Sequence, residues 1–266
     1  MFDDLFTLKG PEPGDYIQNN ILFCGNCKTP REIVIDVCGE KNKVPTLCKC
    51  REAENRRMAA EREAGYRQIR VDTRRANALP DKGMRNWTFE NDDKTNLELS
   101  GAMQRYCDNF AKFKETGKGL MLYGGLGTGK SFFAACIVNR LVEQYKAKFV
   151  TTSFLATLKF DGREEFIKEV ERADIVVLDD IGAERGTEYM QELIFSIVDI
   201  RTRNGLPLIV TTNLAPDQIK KSNDFTTQRI FDRIIGNCHP IACVGKSRRM
   251  QKAGRELSEM NQTLGL

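Results

Sequence analysis

Short apolar segments alternate with helical patterns along most of the chain. The segments 119–123, 148–151, 174–179 and 207–212 are typical of buried strands, and the largely apolar stretch 131–145 predicts a buried helix. Four apolar side chains at the spacing i, i+3, i+4, i+7 predict an amphipathic helix after the third strand: Met190, Leu193, Ile194 and Ile197. Strands in alternation with helices favour an α/β fold with a parallel sheet flanked by helices on both faces.

The segment from residue 49 to residue 75 is dense in charge and poor in apolar residues. It holds nine basic and five acidic side chains, a surplus of four that equals the formal net charge of +4 of the whole chain. Such a composition is typical of a solvated helix or linker between domains, and a surface for nucleic acid is the alternative. The turn-forming run 79–83 marks a boundary. We therefore expect an amino-terminal domain at 1–50, a charged helical linker at 51–78 and a larger domain at 79–266.

The sequence predicts neither a membrane segment nor a secretion signal. No apolar run approaches the roughly 18 residues that a membrane-spanning helix requires. The start of the chain lacks the basic region of a signal peptide. We therefore expect a cytoplasmic protein with no membrane partner. Thiols are kept reduced in that compartment, so clustered cysteines point to metal binding rather than to disulfides.

The chain has nine cysteines but a single histidine, His239. One histidine excludes any metal site with two histidine ligands. The cysteines are concentrated near the amino terminus, where the alternating segment 32–37 predicts a hairpin strand between two cysteine pairs.

The two pairs are Cys24 with Cys27 and Cys48 with Cys50. Cysteines two or three residues apart can present two thiolates to one ion, and two such pairs complete a tetrahedral shell. A closed shell leaves no open coordination position, so we predict a structural zinc ion held by these four thiolates. Cys38 is an alternative ligand in place of Cys48 or Cys50, and unmetallated thiols are the alternative to a zinc site.

A glycine-rich loop stands between the first predicted strand and the helix that follows it. Its sequence, Gly-Gly-Leu-Gly-Thr-Gly-Lys-Ser, matches the full P-loop pattern, in which backbone N–H groups and a helix amino terminus converge on phosphates. We predict that Lys130 contacts the β- and γ-phosphates of ATP and that Ser131 binds Mg²⁺. The predicted nucleotide-binding residues of this loop are Gly124, Gly125, Leu126, Gly127, Thr128, Gly129, Lys130 and Ser131.

Three polar residues at strand ends complete the predicted catalytic set. Asp179 ends an apolar strand and fits the carboxylate that holds Mg²⁺ through its water shell, and Asp180 after it can orient the attacking water. The alternative for Asp180 is a cap of the turn before Gly182. Asn213 ends the next strand, where its amide can contact the γ-phosphate or the attacking water. An ordinary strand-to-turn junction is the alternative for Asn213.

Arg229 and Arg233 lie one helical turn apart on one face of a helix. A guanidinium that reaches the γ-phosphate held by a neighbouring copy acts as an arginine finger. From spacing alone, two surface arginines in salt bridges are the favoured explanation of this pattern.

Together these elements resemble the AAA+ ATPases of the DnaC/DnaI helicase-loader and IstB-like group. The resemblance covers residues from about 79 to 255, and its motifs are the segments 124–131, 175–182, 209–213 and 229–233. It implies an AAA+ P-loop fold, preceded here by a small zinc-binding domain, and it implies ATP hydrolysis with Mg²⁺.

The resemblance also implies roles for the arginines near the carboxyl terminus. The second arginine of the last motif, Arg233, is the implied finger, with Arg229 beside it at the nucleotide. The segment 245–249 is similar to the sensor 2 motif of this family and nominates Arg249 as a nucleotide contact, with Arg248 as the alternate. A basic run offers phosphate contacts for DNA: Lys246, Arg248, Arg249, Lys252 and Arg255.

The amino-terminal cysteines resemble the zinc-bearing domain with which DnaI-type and phage-type loaders grip the replicative helicase. We therefore expect an ATPase that binds a hexameric DnaB-type helicase and places it on single-stranded DNA, with self-association through its AAA+ domain. One alternative is an IstB-like ATPase that assists a transposase. Another is a zinc-containing DNA-binding adaptor that uses ATP as an assembly switch.

Overall fold

The computed structural model describes residues 11–182, 188–221 and 224–265. The chain divides into two compact units, Met1–Arg70 and Val71–Leu266. Within the described residues, no helix is both long enough and apolar enough to cross a membrane.

The first unit contains two antiparallel hairpins. Their strands are β1 (Tyr16–Gln18), β2 (Ile21–Phe23), β3 (Glu32–Val37) and β4 (Glu40–Pro45). Each hairpin turns through two residues with positive φ, Asn19 and Asn20 in the first and Cys38 and Gly39 in the second. Two consecutive positive φ angles match the right-handed twist of the flanking strands. Cys38 therefore lies exposed at the tip of the second hairpin.

Few side chains of the first unit are shielded from solvent. Among residues 11–70, the buried side chains are those of Cys24, Arg31 and Cys48. Apolar side chains of β3, among them Ile33 and Val37, are exposed. The described part of this unit therefore has no apolar core, and two of its three buried side chains are thiols.

A long helix, α1 (Lys49–Ala78), follows the last pair of amino-terminal cysteines. Its charged side chains pair along its own surface, as Arg56 does with Glu52. Within α1, which the structure describes in full, only Val71 and Ala78 are buried. A helix that is polar all round is stabilised by such pairs rather than by a core, which agrees with the solvated helix that its composition predicts.

The second unit is built on a parallel sheet. Five described strands form it: β5 (Gly119–Tyr123), β6 (Ala147–Thr151), β7 (Ile175–Ile181), β8 (Leu208–Thr212) and β9 (Cys238–Ala242). Their order across the sheet is β6-β7-β8-β5-β9, and every described neighbour pair is parallel. The carboxyl ends of β5, β7 and β8 therefore lie side by side at one edge of the sheet.

Helices cover both faces of this sheet. Their bounds are α2 (Leu97–Asp108), α3 (Phe110–Thr116), α4 (Lys130–Leu141), α5 (Thr152–Thr157), α6 (Arg163–Arg172), α7 (Glu188–Arg203), α8 (Pro216–Lys220), α9 (Phe225–Asn237) and α10 (Arg248–Leu264), with 3-10 turns at Lys82–Asn86 and Phe160–Gly162. Successive strand residues face opposite sides, so Leu120 and Leu122 join the core with α2 and α4, whereas Met121 joins the core with α6, α7 and α9. These two apolar cores hold the sheet edge in place.

The predicted strands all form, and their ends differ from the prediction by at most two residues. The predicted buried helix ends earlier, at Leu141. Strand β9 was not predicted from the sequence, because Pro240 and His239 interrupt its apolar pattern. A proline is tolerated there because β9 lies at the edge of the sheet, where it pairs only with β5 among the described strands.

Candidate nucleotide site

The glycine-rich loop joins the end of β5 to the start of α4. Gly124, Gly127 and Gly129 all have positive φ, the left-handed region that other residues rarely adopt. Space is also restricted, since a Cβ atom at Gly127 would lie 2.1 Å from Ser247 Oγ. The backbone N–H of Arg248 donates to the carbonyl of Gly127 at 2.9 Å. The loop is therefore packed directly against the first turn of α10.

A cavity of about 660 Å³ opens beside this loop, which is a volume suited to a nucleotide. The predicted site residues that line it are Leu126, Gly127, Gly129, Lys130, Ser131, Asp179, Asp180, Asn213 and Arg249. Gly124, Gly125 and Thr128 complete the loop, and Thr128 Oγ1 donates to the Gly125 carbonyl at 3.0 Å. Trp87, the single tryptophan of the chain, also lines the cavity.

The ammonium group of Lys130 is held at the centre of the site by three oxygen atoms. Lys130 Nζ donates to the carbonyls of Gly124 and Gly125, at 2.9 and 2.8 Å, and to Asn213 Oδ1 at 2.7 Å. Burial lowers the pKa of Lys130 from its ordinary value, although nearby negative groups oppose this shift. A phosphate that entered the loop would offer the ammonium group charged oxygens in place of neutral ones.

Asp179 is a buried carboxylate at the end of β7. Burial raises its pKa, and hydrogen bonds from Thr211 and Ser131 act in the opposite direction. Thr211 Oγ1 donates to Asp179 Oδ1 at 2.6 Å. The carboxylate thus lies beside the hydroxyl of Ser131, and two such oxygen donors suit a hard divalent cation such as Mg²⁺.

Asp180 lies within a break in the pairing of β7 with β8, where the register shifts between Leu178 and Ile181. Its φ of 63° is positive, and its backbone N–H donates to Thr211 Oγ1 at 2.8 Å. This bulge turns Asp180 out of the strand, so that its exposed carboxylate lines the cavity next to that of Asp179.

Asn213 bridges the two halves of the site. Its Oδ1 accepts from Lys130, and its Nδ2 donates to Asp180 Oδ1 at 3.2 Å. The structure therefore brings Lys130, Asp179, Asp180 and Asn213 together as the sequence predicts, and their catalytic roles remain predictions. Sequence reasoning missed Thr211, whose hydroxyl contacts both aspartates. The signal was its position at the end of β8, opposite the aspartates of β7.

Arg248 and Arg249 differ in their surroundings. Arg248 pairs with Asp92 at 2.9 Å and with Asp93 at 3.1 Å, and its guanidinium lies 4.7 Å from the centre of the Phe133 ring. Arg249 lines the cavity, and its charge contributes to the lowered pKa of Lys130. The arrangement favours Arg249 over Arg248 as a phosphate contact.

Most of the basic run proposed for DNA faces the same cavity. Its cavity-lining members are Arg248, Arg249, Lys252 and Arg255. Lys246 is exposed and does not line the cavity. This arrangement favours nucleotide contacts over DNA contacts for Arg249, Lys252 and Arg255, whereas Arg248 is already paired with Asp92 and Asp93.

Arg229 and Arg233 do not line the cavity of their own chain. They lie on α9, where Arg233 Nε donates to Asp199 Oδ1 at 3.1 Å and both guanidinium groups stack on Phe195. Within one chain, the structure therefore separates the predicted finger from the other predicted site residues.

The first unit brings the four predicted cysteines into one cluster, and all four sulfur atoms lie within 4.8 Å of one another. Zinc–sulfur bonds of about 2.3 Å place the sulfurs of a tetrahedral site roughly 3.8 Å apart, so the cluster fits zinc. Gly25, which lies between Cys24 and Cys27, donates its N–H to Asp15 Oδ1 at 2.9 Å. Cys38 lies outside the cluster.

The protonation of the cluster also suits a cation. Hydrogen bonds from Thr29 and neighbouring backbone groups lower the pKa of Cys27 to about 5. Hydrogen bonding with Cys48 and the other cluster thiols raises the pKa of Cys50 to about 12. One thiolate therefore forms readily while its crowded neighbour holds its proton, and a bound cation would allow both to ionise.

Comparison with known proteins identifies the family. The model of the IstB-like ATP-binding proteins matches residues 57–256, which is most of the chain. The chain belongs to this family.

Among individual relatives, the replicative helicase loader DnaI of Bacillus subtilis is 31% identical over 180 residues, which span 61% of this chain and 58% of DnaI. An ATP-binding protein from an insertion sequence of Mycobacterium tuberculosis is 28% identical over 62% of this chain and 69% of that protein. The replicative helicase loader DnaC of Escherichia coli is 27% identical over 58% of this chain and 62% of DnaC. The matches thus span less than two thirds of either loader.

Solved structures agree with the fold. The crystal structure of the DnaC helicase loader matches 61% of this chain and 99% of that chain, at 25% identity and a TM-score of 0.53. A primosome component from Streptococcus pyogenes matches 63% of this chain and 91% of that one, at 26% identity and a TM-score of 0.52. The expected AAA+ P-loop fold is confirmed. In this member of the IstB-like family, a four-cysteine cluster that is compatible with zinc precedes that fold in the sequence.

Proposed function

We propose that this protein is an ATPase that loads a hexameric DnaB-type helicase onto single-stranded DNA. The observation that carries the ATPase part is the network in which Asn213 joins Lys130 to Asp180 beside the buried Asp179. These groups come from three neighbouring strand ends and converge on one cavity. Phosphoryl transfer depends mainly on positioning and charge stabilisation, which such a network supplies.

The residues present fit ATP with Mg²⁺. The positive φ angles of Gly124, Gly127 and Gly129 let the loop curl around phosphates, and Lys130 supplies a cation for them. Ser131 and Asp179 would hold Mg²⁺, which neutralises charge on the phosphates when it is bound. Asp180 accepts a hydrogen bond from Asn213, and this pair would orient the attacking water. Arg249 would contact the phosphates from α10.

Hydrolysis in this proposal requires two copies of the chain. Arg229 and Arg233 lie away from the cavity of their own chain, so Arg233 would complete the site of a neighbouring copy. Binding of ATP would then favour assembly, and hydrolysis would favour release, because the arginine responds to the γ-phosphate only across that interface.

The four cysteines would hold zinc as a structural ion, since four thiolates leave no position for a substrate. In the proposal, the amino-terminal domain around this ion binds the helicase. Two relatives whose names describe helicase loading, DnaI and DnaC, support the helicase as the client of this protein.

The family model and the insertion-sequence relative favour a second candidate, an ATPase that assists a transposase. A third candidate, an adaptor that uses ATP only as an assembly switch, is favoured by Asp180, because most members of the wider AAA+ class carry the longer glutamate at this position. A rate of ATP hydrolysis that single-stranded DNA does not change would support the adaptor.

Co-purification of the full chain with a hexameric replicative helicase, and in parallel with a transposase of the insertion-sequence type, tests the proposal. We expect retention of the helicase in the presence of ATP and Mg²⁺. The Cys24→Ser/Cys27→Ser variant should lose zinc and the helicase while it still binds ATP. The matched control is Cys38→Ser, which removes a thiol outside the cluster and should behave as wild type. Retention of the transposase alone would favour the second candidate.

A further inference from the structure

One aromatic ring on α7 contacts both the predicted finger, Arg233, and its neighbour Arg229. The guanidinium of Arg229 lies 4.9 Å from the centre of the Phe195 ring, and that of Arg233 lies 4.7 Å from it. The two arginines are one turn apart on α9, so their charges repel each other along that helix. Phe195 offsets this repulsion, because the face of an aromatic ring attracts cations.

The partners of Arg233 leave its outer end available. Asp199 accepts from Nε at 3.1 Å, and Nη1 reaches the Arg229 carbonyl at 3.5 Å, close to the limit for a hydrogen bond. Nη2 has no partner within the described residues. Asp199 is shared with Arg203, at 3.2 Å. The carboxylate thus fixes the base of the Arg233 guanidinium, and among the described residues Nη2 is the terminal nitrogen left available for a phosphate.

Arg229 is less neutralised than Arg233. No carboxylate in the described part of the chain pairs with it, and its ring contacts are Phe195 and the exposed Phe225. A ring fixes the plane of a guanidinium but leaves its full charge, whereas a carboxylate cancels that charge. The surface formed by Phe195, Phe225, Arg229 and Arg233 therefore presents an ordered, positively charged pair to an anionic partner.

Phe195 itself is held firmly. It stands on α7, whose opposite side is anchored by the buried Leu193, Ile194 and Ile197 in the core against the sheet. Its own ring is partly buried and packs against this core, which further limits its movement.

We propose that Phe195 is a positioning residue that holds Arg229 and Arg233 as a pair, oriented toward the triphosphate bound by a second copy of this chain. The inference rests on the proposed function, in which Arg233 completes the site of a neighbour. Phe195 does not line the cavity of its own chain, and it acts through the two guanidinium groups.

Steady-state ATP hydrolysis in the presence of single-stranded DNA, together with titration of a fluorescent ATP analogue, tests this inference. Phe195→Leu keeps apolar volume and removes the aromatic ring. We expect kcat to fall about tenfold, the effect of losing one to two strong cation–ring contacts, with no change in ATP affinity. Phe195→Tyr restores the ring and should restore kcat. The matched control is Phe160→Leu, which changes an exposed ring in the same unit that contacts neither arginine.

A mixing experiment separates positioning from damage to the fold. Phe195→Leu retains an intact cavity, and Lys130→Ala retains intact arginines. An equimolar mixture should therefore hydrolyse ATP faster than either variant alone, since the arginines of one serve the cavity of the other. An unchanged kcat in Phe195→Leu, no rescue by tyrosine, or no gain on mixing would overturn the inference.

The arginine variants distinguish this failure from failure of the proposed function. If Arg229→Ala and Arg233→Ala both hydrolyse ATP at the wild-type rate, the shared site itself is wrong. If Arg233→Ala is slow while Phe195→Leu is normal, the shared site stands and the role of Phe195 is wrong.

Discussion

The two units of this chain are stabilised in different ways. The second unit buries two apolar cores, one on each face of its sheet, and its polar site is placed at the sheet edge between them. The described part of the first unit buries two thiols and one arginine, and the apolar residues of its β3 strand are exposed. A unit that lacks an apolar core depends on another source of stability, and a metal ion is a common one. Loss of metal should therefore affect the first unit and spare the second, and changes at the nucleotide site should affect the second unit and spare the first.

Removal of zinc should have the largest effect and should be confined to the first unit. We expect a strong chelator, or Cys24→Ser/Cys27→Ser, to unfold residues around the four cysteines, because binding of structural zinc supplies about 10–16 kcal/mol in small zinc domains. Far-UV circular dichroism and limited proteolysis report the unfolding, and mass spectrometry reports the metal. A first unit that stays folded without metal, or a wild-type protein that never contains metal, would contradict the comparison.

Loss of the Lys130 ammonium should abolish nucleotide binding and leave the first unit intact. Lys130→Ala removes the cation that now bonds to two loop carbonyls and Asn213, so we expect ATP affinity to fall by about 100-fold or more, as for a charged group that contacts two phosphates. Quenching of Trp87 fluorescence on ATP addition measures this, since the single tryptophan lines the cavity. The control is Lys112→Ala, on the exposed side of α3. Tight ATP binding by Lys130→Ala would show that the phosphates lie elsewhere.

Asp179→Asn should have the smallest effect of the three changes, and it should stabilise the second unit where the other two cause a loss. Burial raises the pKa of Asp179 above its ordinary value of 3.8, so the folded chain holds a proton more tightly than the unfolded chain. The ionised carboxylate therefore costs stability at neutral pH, and this cost disappears as the pH falls through the raised pKa toward 3.8. We expect Asp179→Asn to stabilise the nucleotide-free second unit by roughly 0.5–2 kcal/mol at pH 7.

Urea unfolding followed by Trp87 fluorescence checks this prediction at several pH values. The difference between Asp179→Asn and wild type should shrink near pH 4, and Mg²⁺ with ATP should stabilise wild type more than the variant. A variant that is less stable than wild type at pH 7 would indicate that Asp179 contributes to the fold rather than to a cation site.

The sequence predicted which side chains meet at the candidate nucleotide site, because Asp179 and Asn213 stand at the ends of strands and Lys130 begins the helix after the β5 loop. Once β5, β7 and β8 are parallel neighbours, Lys130, Asp179 and Asn213 must meet at one edge. Predictions that needed only local spacing also held, as in the cysteine pairs, whose sulfur atoms do cluster.

Contacts between distant segments were beyond sequence reasoning. The pairing of Arg248 with Asp92 joins residues 156 positions apart, and nothing in either local pattern indicates it. The same holds for Phe195, whose contacts with Arg229 and Arg233 join two helices that are distant in the chain. Thr211 was missed because its hydroxyl acts on the neighbouring strand β7, and its position at the end of β8 becomes informative only once the strand order is known.

The tight contact between the P-loop and the first turn of α10 restricts how the sequence can vary. Any side chain at position 127 meets Ser247, so a larger residue there would require a smaller one at position 247. The φ of 75° at Gly127 imposes a second restriction that no change at position 247 relieves. In related sequences that keep this contact, position 127 should therefore remain glycine even where position 247 drifts, and an insertion between β9 and α10 should be tolerated only if it leaves the residue at 247 against the loop.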